Sequence, residues 1–414
     1  MAMGKQTTLS IAPYYGGKSR MAHFIAERLD YSNTDTFVSP FGGMCRVLLN
    51  KPRHPVECYN DYNSGLYALM NVLSDADKSN ELIHRLYYGT EYSMEEFKRQ
   101  KAIYDHAETD LDIQEQRKLR RLLLCNGIGN TSTINKLMEE IYKQALQGKT
   151  ETIVPELNKL LSSDDSFRSN FTHLLGNWIA LRESRTNNGM LERSIDIGED
   201  ISEMDLAIAT YVVFQQSRDG MGQTWSESKF KTTEQYLKRV LTLYDCADRL
   251  AGVHVFQIDA MSFFQTYYAN QHGLSSDLQN PDDQMMNEWI NNPRVMMYCD
   301  PSYISVEDER KLLDGIDTST ADSLSNAIQE KYKDKMPKNL GGVYSRSFGY
   351  DEQEQFLRCI QNARCRILVS NYDLILYNKY LNEKTGWRRE EFVTTTGVGS
   401  KANNSRVEVI WYNY

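Results

Sequence analysis

Hydrophobic positions along the chain follow two periods. Over residues 1–75 short apolar runs closed by polar residues alternate with stretches of helical spacing. Met21, Phe24, Ile25 and Leu29 recur at helical spacing behind Gly16-Gly17-Lys18. Thr36-Phe37-Val38 is a strand-length run that enters the turn Ser39-Pro40-Phe41-Gly42-Gly43. Met44 to Leu49 opens a helix, Val56-Glu57-Cys58-Tyr59 is a second strand ending at Asn60-Asp61, and Leu66 to Leu73 is helical again. From Asp75 to Asp245 the helical period takes over, charges are dense and β-branched runs are rare. Gly127 to Thr133 and Arg185 to Gly189 break it. Strand runs then return. Val253 to Ile258 ends at Asp259, Val295 to Cys299 ends at Asp300, and Arg366 to Ser370 ends at Asn371. Phe392 to Thr394 and Val407 to Tyr412 alternate like an antiparallel pair across a Gly/Ser/Asn-rich loop.

This pattern predicts an α/β protein with a Rossmann-like sheet built from residues 1–75 and 245–414. A separate, mostly helical domain over 76–244 is inserted into it. A polar, charged segment at about 306–342 interrupts the second half, as a mobile loop or a helical excursion. Composition narrows the class. Apolar content of 41% and charged content of 25% are those of a soluble globular protein. The longest apolar stretches fall well short of a bilayer span, and Met1 to Ser10 lacks a signal-type apolar core, so a cytoplasmic protein without membrane contact is expected. Seven cysteines without a C-x-x-C pair argue against a disulfide framework and against zinc; Cys359 and Cys365 read as core residues. The histidines show no metal spacing, so no metal is expected. A net charge of −9 is not the overall signature of a nucleic-acid binder. Two basic stripes stand against it: Arg117, Lys118, Arg120 and Arg121, and Lys229, Lys231, Lys238 and Arg239. Each is either a phosphate contact or a solvated helix face.

Candidate chemistry collects at the ends of the strand runs. Pro301 cannot continue a ladder, so the run before it stops at Asp300-Pro301-Ser302-Tyr303. A carboxylate and a proline-fixed carbonyl can accept both protons of an exocyclic amine, and a phenol ring can stack on a flat base. Gly42-Gly43 permits close backbone approach to a ligand, and Asp61 ends the next strand as an acceptor for ribose hydroxyls. The bland alternative is a glycine turn and a helix N-cap. Asp259 closes a further strand, where it can accept from an adenine amine.

In order along the chain, these segments resemble the Dam-type, D12-class DNA adenine-N6 methyltransferases. Pro13-Tyr14-Tyr15-Gly16-Gly17-Lys18 resembles the family's N-terminal aromatic-Gly-Gly-Lys motif. Pro40-Phe41-Gly42-Gly43 resembles its cofactor loop, and Asn60-Asp61-Tyr62-Asn63 its N-D-x-N. Asp300-Pro301-Ser302-Tyr303 resembles its D-P-P-Y, with Ser302 in place of the second proline. Ser370-Asn371 and the closing Arg406-Val407-Glu408-Val409-Ile410 also sit where the family has similar segments. The resemblance implies S-adenosylmethionine as methyl donor, no metal, and double-stranded DNA as partner. It implies a methyltransferase sheet and a helical target-recognition domain, in a monomer or weak dimer of bacterial or phage origin, with or without a restriction partner. By this resemblance Tyr14, Lys18, Phe41, Gly42 and Gly43 line the methionine side, Asp61 holds the ribose and Asp259 the adenine ring. Asp300, which borders the donor, binds the flipped adenine's amine together with the Pro301 carbonyl, and Tyr303 stacks on the base.

Sequence-reading residues are expected in three places. Arg117, Arg120 and Arg121 would meet phosphate. Arg218 and Gln223 lie in the polar turn Ser217 to Gln223, which either reaches base edges or merely joins helices. Lys401, with Asn403 and Asn404, lies in the loop from Thr394 to Arg406, a DNA contact or a plain hairpin tip. Two other functions remain beside DNA methylation: a relative with impaired catalysis that still binds donor or DNA, and an RNA adenine methyltransferase.

Overall fold

Apolar runs that can be buried on both faces form the interior of a mostly parallel sheet. The computed structural model describes residues 8–18, 21–109, 119, 122–123, 128, 134–146, 155–164, 167–168, 171–172, 174–176, 178–179, 201–258, 260, 264, 288–332, 348–395 and 405–414. Among them β1 (Thr36–Ser39), β2 (Val56–Asn60), β3 (His254–Phe256), β4 (Val295–Cys299), β5 (Arg366–Tyr372), β6 (Arg388–Thr395) and β7 (Ser405–Tyr412) form one seven-stranded sheet. Its order is β3-β2-β1-β4-β5-β7-β6. The first five strands are parallel where they pair, with Val38 opposite both Cys58 and Met297, and Cys299 opposite Val369. β7 runs antiparallel to β5 and β6. Parallel pairing brings the carboxyl ends of β1, β2, β4 and β5 to one edge. Because β7 is reversed, its amino-terminal half reaches that same edge, with Glu408 opposite Tyr372.

The helices are α1 (Ala22–Ala26), α2 (Arg46–Asn50), α3 (Ser64–Ser74), α4 (Ala76–Gly89), α5 (Met94–Thr109), α6 (Ile134–Leu146) and α7 (Pro155–Ser163). They continue with α8 (Glu203–Gln216), α9 (Thr233–Leu241), α10 (Leu243–Leu250), α11 (Val306–Leu313), α12 (Leu324–Tyr332), α13 (Tyr350–Ile360) and α14 (Ile375–Tyr380). The chain divides into two compact units, Met1–Lys101 with Glu203–Tyr414, and Ala102–Ser202. These bounds are narrower than the helical segment expected over 76–244. The reason lies in α8, which is buried without interruption from Ala207 to Gln216. A helix apolar on every side needs cover all round. It packs against α3 and α4, and α3 packs against α10, so these helices belong with the sheet. A buried ion network also ties α10 to the start of β2: Arg249 grips Glu57 at 2.6 and 3.0 Å, and Lys51 pairs with the same carboxylate.

The elements described in the unit Ala102–Ser202 are helices, and its core holds Leu119, Leu123, Met138, Ile141, Leu157 and Trp178. In the sheet unit the segment after β4 is the helical excursion rather than a loop, at least to Tyr332. α11 and α12 bury Leu312, Leu313, Leu324 and Ile328 in the main core. Two buried carboxylates fix them. Glu309 accepts from the first amides of α14, Ile375 N at 2.7 Å and Leu376 N at 2.9 Å. Glu354 accepts from Leu324 N at 3.0 Å, Ser325 N at 2.7 Å and the Tyr380 hydroxyl, capping α12 from α13. No helix among the described residues is long and apolar enough to cross a membrane.

Candidate active site

Sheet order reverses between β1 and β4: the chain builds outward through β2 and β3, then returns to the other side of β1. At such a switch point the loops leaving the strands diverge and open a crevice at the carboxyl edge. The loop from Pro40 to Gly43 leaves β1 on one side, and Asp300 leaves β4 on the other.

The β1 side is a locked pair of loops. Asn60, buried at the end of β2, donates to Pro40 O and Ile258 O, both at 2.9 Å, and accepts from Ile258 N at 2.8 Å. One side chain thus joins the ends of three strands. Asp61 accepts from Gly43 N at 2.7 Å with one oxygen and from Asn63 N at 2.9 Å with the other. Burial pushes its carboxyl above the ordinary range, against the pull of these amides. Asn63, not Asp61, caps α3 by accepting from Leu66 N. The two glycines differ in purpose. A Cβ on Gly42 would collide with the Tyr59 ring, whose hydroxyl donates to Gly43 O at 2.8 Å. Gly43 turns at φ +51°, with the Tyr14 ring 3.4 Å from where a Cβ would stand. Gly42 is therefore used by the protein's own packing, and Gly43 carries the turn. Phe41 packs with Phe264, Phe348 and Phe356, which anchors the loop to the core.

The β4 side is a charged cluster. Asp300 is 20% exposed and Lys18 only 6%, and Lys18 Nζ lies 2.7 Å from Asp300 Oδ1. The same ammonium donates to Gly16 O at 3.0 Å, sits 4.3 Å from the centre of the Tyr303 ring and 4.0 Å from Glu408 Oε2. Behind Asp300, Ser370 Oγ donates to Oδ1 at 3.0 Å and is itself paired with the Tyr298 hydroxyl at 2.9 Å. Tyr303 stands edge-on to Tyr372 with centroids 4.8 Å apart, and its hydroxyl donates to Glu408 at 3.5 Å. Burial, then the charges of Asp300 and Glu408, push the Tyr303 phenol well above its ordinary value, so it keeps its proton. Pro301 is buried. The carbonyl of Ser302 accepts from Gln353 Nε2 at 3.0 Å, and that buried amide also holds Phe348 O at 3.0 Å. A side chain of α13 thus restrains the loop at the position where a second proline is missing.

Tyr14, Lys18, Phe41, Gly42, Gly43, Asp61, Asp300, Pro301 and Tyr303 all lie on the sheet unit, around the loops at this edge. Asp259, Arg117, Arg120, Arg121 and Lys401 lie outside the described residues. Arg218 and Gln223 are exposed, on a turn whose underside is pinned. Tyr15 N donates to Gly220 O at 3.1 Å, and a Cβ on Gly220, at φ +66°, would stand 2.7 Å from Pro13 C and Tyr14 N. Gly222 N donates to Ser217 Oγ at 3.1 Å, and the Tyr14 ring packs on Phe214 at 5.2 Å. Lys229, from the second basic stripe, donates to Ser217 O at 2.9 Å and so caps the end of α8. The sequence reading assigned no role to Asn60, Tyr298, Gln353, Glu408 or Gly220. A carboxylate set between Val407 and Val409 in the closing strand is the signal that points to Glu408.

Among the described residues no cluster of three His, Cys, Asp or Glu side chains could hold a metal ion. Residues 14–144 match the family model of the D12 class N6 adenine-specific DNA methyltransferases. The matched part includes Lys18, the Pro40 to Gly43 loop and Asp61, and the mixed sheet is consistent with a methyltransferase fold. No curated protein matches the chain.

Proposed function

We propose that the protein is a site-specific DNA methyltransferase that moves a methyl group from S-adenosylmethionine to the N6 amine of an adenine flipped out of double-stranded DNA. The observation that carries this reading is the placement of Asp300 and Tyr303 at the carboxyl end of β4, across the switch point from the Gly43 and Asp61 loops. The family match over 14–144 supports it.

The donor site fits its ligand on one count in particular. Asp61 is a half-buried carboxylate that accepts the backbone amides of Gly43 and Asn63 at the crevice edge, a group with acceptor capacity suited to a ribose diol. S-Adenosylmethionine supplies an electrophilic methyl on a sulfonium. The chain's residues do the rest. An adenine amine is a poor nucleophile because its lone pair is delocalised into the ring. The Asp300 carboxylate and the Pro301 carbonyl accept its two N–H groups, which favours a pyramidal nitrogen and stabilises the positive charge that develops there. Ser370 and Tyr298 hold the Asp300 carboxylate in one orientation. The Tyr303 ring, steadied by Tyr372, offers its face to the base. Orientation of the nitrogen toward the methyl supplies the remainder. The decisive experiment is transfer of labelled methyl from S-adenosylmethionine to unmodified duplex DNA, followed by mapping of N6-methyladenine. Label that appears only on RNA, or only on cytosine, would overturn the assignment.

A further inference from the structure

One buried ammonium lies between two carboxylates. Lys18 Nζ is 2.7 Å from Asp300 Oδ1 and 4.0 Å from Glu408 Oε2, and the lysine is 6% exposed. A cation so far out of water must keep an anionic partner, because an unpaired buried charge is costly. Yet Asp300 is the acceptor that an incoming amine needs, and the lysine holds one of its oxygens. A second partner is within reach. Glu408 is placed there by the reversed direction of β7, 18% exposed, and is fixed by the Tyr303 hydroxyl at 3.5 Å. A small rotation of the flexible lysine stem closes the remaining gap while the ammonium stays near the Tyr303 ring, now 4.3 Å from its centre. Resting on the methyl-transfer reading above, we propose that Glu408 is a positioning residue that takes Lys18 from Asp300 when the target amine binds. The handover frees Asp300 for the substrate and never leaves the ammonium unpaired. The net charge of the pocket does not change.

The test has two arms, both on the full chain. In the first, methyl transfer to duplex DNA is measured for the parent, Glu408→Gln, Lys18→Met and the double variant. Glutamine keeps the shape and an acceptor for Tyr303 but cannot draw the cation. Glu408→Gln should slow transfer by roughly tenfold in the parent and by less than about twofold in the Lys18→Met background, the non-additivity expected of partners in one ion network. Equal slowing in both backgrounds would overturn the proposal. The second arm needs no turnover: acylation of Lys18 by a succinimidyl ester, read by mass spectrometry. Asp300→Asn alone should leave Lys18 protected to within about threefold of the parent, and Glu408→Gln added to it should raise the rate by roughly tenfold more. If Asp300→Asn alone exposes Lys18 as fully as the double variant does, Glu408 does not receive the cation and the inference fails. A parent that methylates no nucleic acid would overturn the proposed function, and the acylation arm would still decide the sharing of Lys18.

Discussion

Asp300 is held from behind by Ser370 and met from the front by Lys18. These contacts fix its orientation at rest. Asp300→Ala should therefore abolish methyl transfer while S-adenosylmethionine still binds within a fewfold of the parent, since the residue is assigned to the acceptor and not mainly to the donor. Calorimetric titration beside a transfer assay separates the two, and near-normal turnover would remove Asp300 from the catalytic role. Asp61 answers to two demands. It fastens the β1 loop to the β2 loop through Gly43 and Asn63, and it is proposed to hold the ribose. Asp61→Ala removes charge-assisted hydrogen bonds worth about 1.5–3 kcal/mol, so donor affinity should fall about ten- to hundredfold. The loop amides also lose their acceptor, so the melting temperature should fall as well. An unchanged dissociation constant would place the ribose elsewhere.

Two elements carry strain or charge that a single change should reveal. The turn at Gly220 faces the backbone of Pro13 and Tyr14, and its φ is positive. Gly220→Ala must both push those strands of chain apart and place a side chain in the left-handed region, at a cost of roughly 1–3 kcal/mol from the backbone alone. Because Tyr14 lies over Gly43, the same change should weaken donor binding, whereas Gly315→Ala, at φ +69° with open space around it, should cost stability only. Equal donor affinity in both variants would show that the turn does not support Tyr14. The α12 cap is a pH test. Burial opposes the Glu354 charge, but the hydrogen bonds from Ser325, Tyr380 and Ser323 outweigh it and hold the carboxyl down to about 2, below the ~4.3 of an unfolded glutamate. A depressed folded value means stability that is present above about pH 4.3 and lost as pH falls toward 2. Glu354→Gln should lower stability at pH 7 by about 2–3 kcal/mol and flatten the acid limb of a denaturation series between those values. An unaltered acid limb would show that the cap does not titrate with folding. The strand ends at this edge are legible in sequence because each is an apolar run closed by an acid, an asparagine or a proline: Cys299 before Asp300, Tyr59 before Asn60. The contacts that complete them are not legible. Gly220 meets Pro13, Gln353 meets Ser302, and Glu408 arrives on a strand whose direction only the sheet defines. None of these pairs is local in sequence, so neither period nor spacing reports them. The division at residues 102 and 202 is hidden for the same reason, since α8 reads as part of one long helical tract until its burial against α3 is known.

On the proposed function, a chain with a net charge of −9 must gather its positive charge locally to meet DNA. Overall repulsion from the duplex makes binding depend on a few phosphate contacts, and those contacts set the salt dependence. Arg117, Arg120 and Arg121 are the densest basic stripe in the sequence, within the unit Ala102–Ser202. If they meet phosphate, changing all three to alanine should weaken binding to every duplex alike and reduce the slope of log affinity against log salt by about 2–3. Arg218 and Gln223 make a different case. They are exposed on a turn whose underside is fastened to the Tyr14 segment, so their side chains can be presented rigidly outward. Both side chains can read a base edge with paired hydrogen bonds, Arg at guanine and Gln at adenine. Arg218→Ala or Gln223→Ala should therefore relax the preference at one base pair, by roughly 1–3 kcal/mol, with little change in the salt slope. Sequencing the methylated adenines of each variant distinguishes the two roles. Site preference and rate both retained in the turn variants would make the turn a plain connector and move recognition to other residues.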